Sequence, residues 1–451
     1  MKKHPGQISR REFLKNSSAS AFTLGAMMLS RPLSALAAPA DKKLRVALVG
    51  TGIRGSTTWG MNLKRDCRDL VEIVGLCDIN PKRVEVARSW IKANIPTFTD
   101  FDQMIRTIKP ESVIVTTVDA YHAYYVTRAM ELGCNVLSEK PLCTEAEQAQ
   151  AIIDTCKRTG RKLDVTFNAR YEKSSMKLKE VLLAKEIGDI YSVYYDEFLD
   201  LDHGASYFRR WHGLKECSGT LLCHKSSHHF DELNWWIDAD PVEVMAYGAL
   251  NKYGKNGPFR HANCRLCVHK NKCELYYDIT KDKSFMELYV GCESEDGYYR
   301  DGCLYRREIN IYDTMSVQIK YSNKVQVTYT LNATVPYEGQ FIVFNGSNGR
   351  IELRNYNSQP WEVPHSSELR LTRNFKDSVV IPLDVQADEF FEHGGADRRI
   401  KDMLFRPDQQ DPLGQRAGLR AGILSSGIGI SAYTSIERKE RMKIADLINL
   451  G

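Results

Sequence analysis

The chain has 451 residues, 43% of them hydrophobic and 26% charged, with 22 Tyr and 16 Phe. That is enough apolar material for conventional cores in two or three domains, and it excludes a disordered chain or a small disulfide-stapled scaffold. The formal charge of +5 belongs to residues 1–38, which hold six Lys/Arg and one acid; the other 56 basic and 56 acidic side chains balance, so nothing points to nucleic acid or an anionic membrane surface as a partner.

Residues 1–40 read as a leader. Ser9-Arg10-Arg11-Glu12-Phe13-Leu14-Lys15 precedes a mildly apolar run, Ala19–Leu29, and then Ala35-Leu36-Ala37, a small-x-small cleavage pattern. This is the pattern of a twin-arginine secretion signal. The run falls short of the ~20 apolar residues that span a bilayer, and no other stretch is long and apolar enough. The mature chain is expected to be periplasmic or otherwise exported, with the twin-arginine machinery as its transport partner.

From residue 43 strands and helices alternate. Val46-Ala-Leu-Val-Gly-Thr-Gly-Ile-Arg-Gly55 reads as a buried strand entering a Gly50-x-Gly52-x-x-Gly55 turn that opens a helix. The first glycine permits the tight turn, the second lets backbone amides approach a pyrophosphate, and the third lets helix pack on strand. The helix is expected to run to about Arg68. Val71–Asp78 is a second strand ending in an acid suited to ribose hydroxyls and hostile to a 2′-phosphate, which favours NAD over NADP. Helices around Pro81–Ala93, Phe101–Thr107, Ala120–Leu132 and Glu145–Thr159 alternate with strands at Thr97–Phe98, Ser112–Thr116, Asn135–Ser138 and Lys162–Thr166, as in a parallel sheet with right-handed crossovers. Residues 43–168 are therefore expected to form a Rossmann domain.

Beyond residue 169 the period changes. Ile190–Phe198, Val242–Tyr247, Glu308–Tyr312, Ser316–Tyr321, Lys324–Leu331 and Gln340–Asn345 alternate apolar and polar residues, reading as a mostly antiparallel sheet with one covered face. Residues 169–415 are expected to form this second domain, with a Cys-rich insertion at 260–305. Arg416–Ile436 reads as a long helix in a closing segment, 416–451, that packs back on the first domain. The fold class is α/β, a doubly wound parallel sheet followed by an α/β domain with a large open sheet.

Leu137-Ser-Glu139-Lys140-Pro141-Leu142 leaves the carboxyl end of a strand, where doubly wound sheets bind ligands. A lysine there, desolvated and paired with Glu139, can orient or protonate an oxygen near a nicotinamide. Pro141 fixes the backbone as the chain leaves the strand. With the glycine turn, Asp78 and Thr116-Thr-Val-Asp-Ala-Tyr-His122, this motif makes the mature chain resemble the Gfo/Idh/MocA family, which includes glucose–fructose oxidoreductase and inositol dehydrogenase. The resemblance runs from the first strand to Ala432–Leu447. It implies a sugar-directed, NAD(P)-dependent oxidoreductase that assembles into homo-oligomers, with Gly50, Gly52, Ile53, Arg54, Gly55, Asp78, Thr117, His122, Glu139 and Lys140 around the cofactor.

The family's Gly-Gly and Asp-x-x-x-His-x-x-Asp pattern is matched imperfectly at Ser218–Asp231. His228 falls on the family's proton-transferring histidine, while His224 stands where most members have aspartate, as a substrate ligand or a second base. On a helix both would share one face, and Lys225 lies between them. His229 is the member of the cluster best read as an interior residue. Lys140, His228 and His224 are the expected catalytic set. Asn168, Arg170 and Tyr171, and Arg210, Trp211 and His212, offer aromatic faces beside polar forks, as sugar recognition requires.

Cys264, Cys267, Cys273, Cys292 and Cys303 could hold zinc or an iron–sulfur cluster, form disulfides after export, or stay free; no metal ligand is assigned. Export adds a constraint. No nicotinamide pool is expected outside the cytoplasm, so the cofactor would be loaded before transport and recycled in place. A ping-pong exchange between two sugars does this. So does transient oxidation that labilises a glycosidic bond, which makes an NAD-dependent glycosidase the alternative. A carbohydrate-binding protein without catalysis is a third reading, resting on the missing aspartate at 224.

Overall fold

The computed structural model describes residues 42–383 and 394–450; the leader lies outside the described residues. Six parallel strands, β1 (Leu44–Val49), β2 (Val71–Cys77), β3 (Thr97–Phe98), β4 (Ser112–Val115), β5 (Asn135–Ser138) and β6 (Leu163–Val165), form a sheet in the order β3-β2-β1-β4-β5-β6. That order reverses direction between β1 and β4, and ligands bind outside the carboxyl ends of such a switch point. Strand β1 is apolar on both faces because helices cover both. Val46 and Leu48 pack with Trp59, Leu63 and Val84, whereas Ala47 and Val49 pack with Val113, Ala123 and Val126.

The helix after the glycine turn is wide, π-type over Gly55–Asn62, and tightens to α-geometry over Leu63–Asp66. It ends slightly before the expected Arg68. Asn80 then caps Pro81–Ile91 by accepting the Arg83 amide, with proline in the first turn.

The second sheet has nine strands: β7 (Ile190–Asp200), β8 (Pro241–Ala249), β9 (Thr314–Tyr321), β10 (Gln326–Val335), β11 (Glu338–Gly346), β12 (Gly349–Ser358), β13 (Ser367–Arg373), β14 (Ser378–Pro382) and β15 (Met442–Lys443), in the order β14-β13-β12-β11-β7-β10-β9-β8-β15. Every pair is antiparallel except β7 with β10. Strand β7 buries Val193, Tyr195, Glu197 and Leu199 on one face. The expected strand at Glu308–Tyr312 does not form. Ile309 and Ile311 are buried, but as anchors of an irregular segment that leads back from the insertion. Strands β12, β13, β14 and β15 have no counterpart among the expected strands.

The closing helix spans Leu419–Arg438. The segment leading into it docks on β6: Val165 N–H donates to Ala417 O at 2.8 Å, and Arg416 pairs with Asp164 at 2.8 Å. Further on, the Ser435 hydroxyl accepts the Ala246 amide of β8. The helix thus ties both sheets together, and β15 adds the last strand to β8. No helix among the described residues is long and apolar enough to cross a membrane.

Candidate functional site

The carboxyl ends of β1, β4 and β5 converge on one cleft. Gly50 has φ +89°, and a Cβ there would meet the Thr116 carbonyl at 2.6 Å; one on Gly55 would lie 2.1 Å from Gly50 O. Both glycines are therefore demanded by chain crossing. Gly52 is different: its hypothetical Cβ meets only the Tyr289 hydroxyl, at 3.4 Å. Space over the turn is what a pyrophosphate needs. The Ile53 amide at the helix start donates to that same Tyr289 hydroxyl at 2.9 Å, so the insertion supplies an acceptor where a phosphate oxygen would sit.

Asp78, just after β2, is buried. Its Oδ2 accepts from Thr51 N–H (2.7 Å) and Oγ1 (3.0 Å), and its Oδ1 accepts the Asn80 amide (2.9 Å). The insertion closes over this end. Arg83 donates to Asp296 at 2.7 Å, Asn80 Nδ2 donates to Cys292 O and Asp296 at 2.9 Å, and Lys82 pairs with Glu295 at 2.8 Å.

The Lys140–Pro141 bond is cis, and His122, buried behind it, holds Pro141 O with Nδ1 (2.7 Å) and Thr117 O with Nε2 (3.1 Å). Contrary to the expected ion pair, Glu139 is not the direct partner of the Lys140 amine. Its Oε1 accepts from Arg54 Nε and from Trp59 Nε1, both at 2.7 Å. Arg54 is consequently locked: it also grips Asp397 at 2.7 and 2.9 Å. Its acidic neighbours outweigh burial and raise its pKa. The Lys140 Nζ donates instead to His224 O at 2.9 Å. Burial pushes its pKa down to about 8, against the opposing pull of Asp119 and Glu139.

His224 closes the turn Leu221–His224 and His228 lies in the first turn of Ser226–Ile237. Thr220, at φ 72°, caps the earlier turn by accepting the Leu222 amide. A threonine in that region is strained, a feature that clusters at functional sites. His224 Nδ1 lies 2.6 Å from Asp119 Oδ2. Burial holds the imidazole neutral and raises the Asp119 carboxyl well above its ordinary value. Rings of Tyr207, Trp211 and His212 box His224 in, with His212 4.1 Å away and itself stacked on Trp211 at 3.6 Å. His228 is kept neutral by burial and then by the charges of Lys140 and Lys225. The Nδ1 atoms of His212 and His228 are buried without a hydrogen-bond partner, which is what a site waiting for a polar ligand leaves behind. Lys225 pairs with buried Glu197 at 3.1 Å. His229, as expected, is interior, on Tyr329 at 2.9 Å.

Three expected sugar contacts are used elsewhere. Arg170 forms a bidentate pair with Asp231, both distances 2.6 Å, at 7% and 0% side-chain exposure. Asn168 donates to Asp397 at 2.9 Å, and Tyr171 is buried in the core against Leu404 and Ile400. All three are spent on these internal contacts, Asn168 through the same Asp397 that holds Arg54. Missed residues are Asp119, Trp59, Tyr207, Tyr289, Tyr298, Arg300 and Asp397. Asp119 was within reach, since it sits in the Thr116–His122 segment that carries Thr117; the others reach the cleft through tertiary contacts with no local signature. All twelve cysteines are free, and among the described residues no group of three or more His, Cys, Asp or Glu is placed to hold a metal ion.

Comparison with known proteins agrees with this geometry. Residues 44–167 match the model of an oxidoreductase family's NAD-binding Rossmann fold, and residues 179–444 match that family's C-terminal alpha/beta domain. The YteT protein of Bacillus subtilis (strain 168) is 32% identical over 404 residues, covering 84% of this chain and 92% of that one. Inositol 2-dehydrogenase of Salmonella typhimurium is 26% identical over 207 residues, 45% of this chain and 57% of its own. Glycosyl hydrolase family 109 protein 1 of Akkermansia muciniphila is 25% identical over 202 residues, 42% of this chain and 41% of its own. A glycine turn on a parallel sheet, a Glu-Lys-Pro exit from β5 and a histidine helix from a second, mixed sheet thus place the chain in the Gfo/Idh/MocA family of oxidoreductases.

Proposed function

We propose that this chain is an exported, NAD-dependent oxidoreductase acting on a hydroxyl of a sugar, cyclitol or glycoside, with a cofactor that stays bound. The observation that carries this reading is the meeting of Lys140, His228 and the Asp119–His224 pair beside the glycine turn. When bound, the dinucleotide supplies a hydride acceptor. The turn fits it: over Gly52 stands only the Tyr289 hydroxyl, whose place on the Ile53 amide a phosphate oxygen would take, and Asp78 disfavours a 2′-phosphate, which supports NAD over NADP.

The chain's own residues manage the proton. Lys140, its charged form disfavoured by burial, takes the proton of the sugar hydroxyl and returns it in the reverse direction. His228 Nδ1, buried and unpartnered, holds the oxygen in place. Trp211, His212 and Lys225 line the sugar end, and the aromatic box of Tyr207 and Trp211 excludes water. The insertion resting on Asn80, Arg83 and Ile53 supports retention. Export through the twin-arginine route rests on the Ser9–Lys15 leader. Exposed Val379 and Val380 on edge strand β14, with Phe375 in the turn before it, support a homo-oligomer.

A glycosidase that oxidises its sugar transiently is the second reading. The Asp119–His224 pair favours it, because removing the proton alpha to a transient ketone needs an additional base, and the likeness to a glycosyl hydrolase supports it further. The test incubates purified holoprotein with aryl glycosides and free sugars without added NAD. Nicotinamide absorbance change without aglycone release is expected for the oxidoreductase. Release assigns the glycosidase, and neither signal, with Lys140→Ala equally silent, leaves a binding protein.

A further inference from the structure

Two arginines stand at the sugar end of the cleft, and neither forms an ion pair with a carboxylate of the described residues. Arg210 follows the helix Leu201–Arg209; its Nε donates to Ser206 O at 2.9 Å and its guanidinium lies 5.1 Å from the Tyr207 ring centroid. Arg300 arrives from the insertion, its guanidinium 3.9 Å from the Phe285 centroid and 4.7 Å from that of Tyr289. The two feel each other. Burial and then the charge of Arg300 push Arg210 below its ordinary value, and both arginines, with Lys140, depress buried His212. Asp119 is in electrostatic reach of Arg210, and its carboxyl is already bonded to His224. The Tyr298 hydroxyl is buried without a hydrogen-bond partner, in reach of Arg300, Tyr289 and Arg210.

Like charges gathered in a dry cleft are costly until an anion separates them. A neutral, hydroxylated sugar can accept from a guanidinium fork but does not offset the repulsion between two of them, whereas a carboxylate matches them bidentately with opposite charge and also accepts a phenolic hydroxyl. We propose that Arg210, Arg300 and the Tyr298 hydroxyl form an anion subsite for the carboxylate of an acidic sugar, so that uronic acids and their glycosides are the substrate class. The inference rests on the redox reading only for what Lys140 and His228 do beside it. The insertion then serves twice, covering the nucleotide end and supplying half of the sugar site.

A cofactor phosphate has the same chemistry, and the test separates the two. Binding of D-glucuronate against D-glucose, and of D-galacturonate against D-galactose, is measured calorimetrically on the holoprotein, together with bound nucleotide and nicotinamide absorbance. The acidic member of each pair is expected to bind at least tenfold tighter, with a preference that weakens as salt rises. Arg300→Gln is expected to abolish the preference at unchanged nucleotide content, and Tyr298→Phe to weaken uronate several-fold while leaving glucose alone. Equal binding of both members of each pair overturns the proposal. So does a loss of nucleotide in Arg300→Gln with the preference intact, because the anion is then the cofactor's phosphate. Should Arg300→Gln fail to fold, Tyr298→Phe decides. Selective uronate binding with no absorbance change for any sugar upholds the subsite and sinks the redox reading instead.

Discussion

Lys140 sits where water is scarce and positive charge is plentiful, with Lys225 and Arg54 among the groups that disfavour its ammonium form. A base works only when unprotonated, so kcat/KM for oxidation is expected to rise with pH, level off above about 8, and fall in mirror image for the reverse reaction. Lys140→Met is expected to lose ~10²–10⁴-fold in rate and the pH step with it, in a stopped-flow assay of the nicotinamide. Lys140→Arg keeps a charge but has no neutral form, and is expected to be equally inactive. Arg170 makes a contrasting case. It has the composition of a sugar ligand and the environment of a brace, so Arg170→Ala strands the Asp231 carboxylate in the core. Chemical denaturation should show a loss of about 3–5 kcal/mol. An unaltered unfolding midpoint with weakened sugar binding would return Arg170 to the cleft.

At the scale of elements, the glycine turn separates two duties that a motif match merges. Gly50→Ala and Gly55→Ala drive a methyl into backbone atoms, so both are expected to fold poorly. Gly52→Ala meets a single hydroxyl at van der Waals distance; it is expected to keep the wild-type melting temperature and lose most bound nucleotide. The first domain was legible because both faces of its strands are largely covered, which makes Leu44–Val49 and Val71–Cys77 apolar runs interrupted only by Arg45 and Glu72 near their starts. In the second, alternation marks the middle strands and is equally present in β12 and β13, where Ile351, Leu353, Leu369 and Leu371 are buried between outward Arg350, Glu352, Arg354, Glu368 and Arg370, so those two strands were also within reach of the sequence. The same alternation misled at Glu308–Tyr312, where two isoleucines pin a loop. Lys140, His224 and His228 were marked by the family resemblance of their motifs. Asp119 lay in a segment already singled out, but its pairing with His224 was not readable, since the segment after β4 and the turn Leu221–His224 meet only in the fold.

At the scale of the whole molecule, the insertion turns two domains into one object. It leaves the second sheet after β8, rests on the Pro81–Ile91 helix and the glycine turn, and returns before β9. Asp296→Ala removes the acceptor of both Arg83 and Asn80. It is expected to raise the nucleotide dissociation rate at least tenfold with little change in the proton chemistry at Lys140, as measured by competition with an unlabelled dinucleotide. A dissociation rate equal to wild type would show that retention lies elsewhere.

That bridge has a thermodynamic consequence for direction. A dehydrogenase that exchanges its nicotinamide is driven by the ratio of oxidised to reduced cofactor in the surrounding pool. A dinucleotide shut beneath residues 285–300 would be cut off from any such pool, and each protein molecule would carry its own one-hydride record of the last sugar it met. The balance of the two sugars outside, read one molecule at a time, would then set which way the reaction runs.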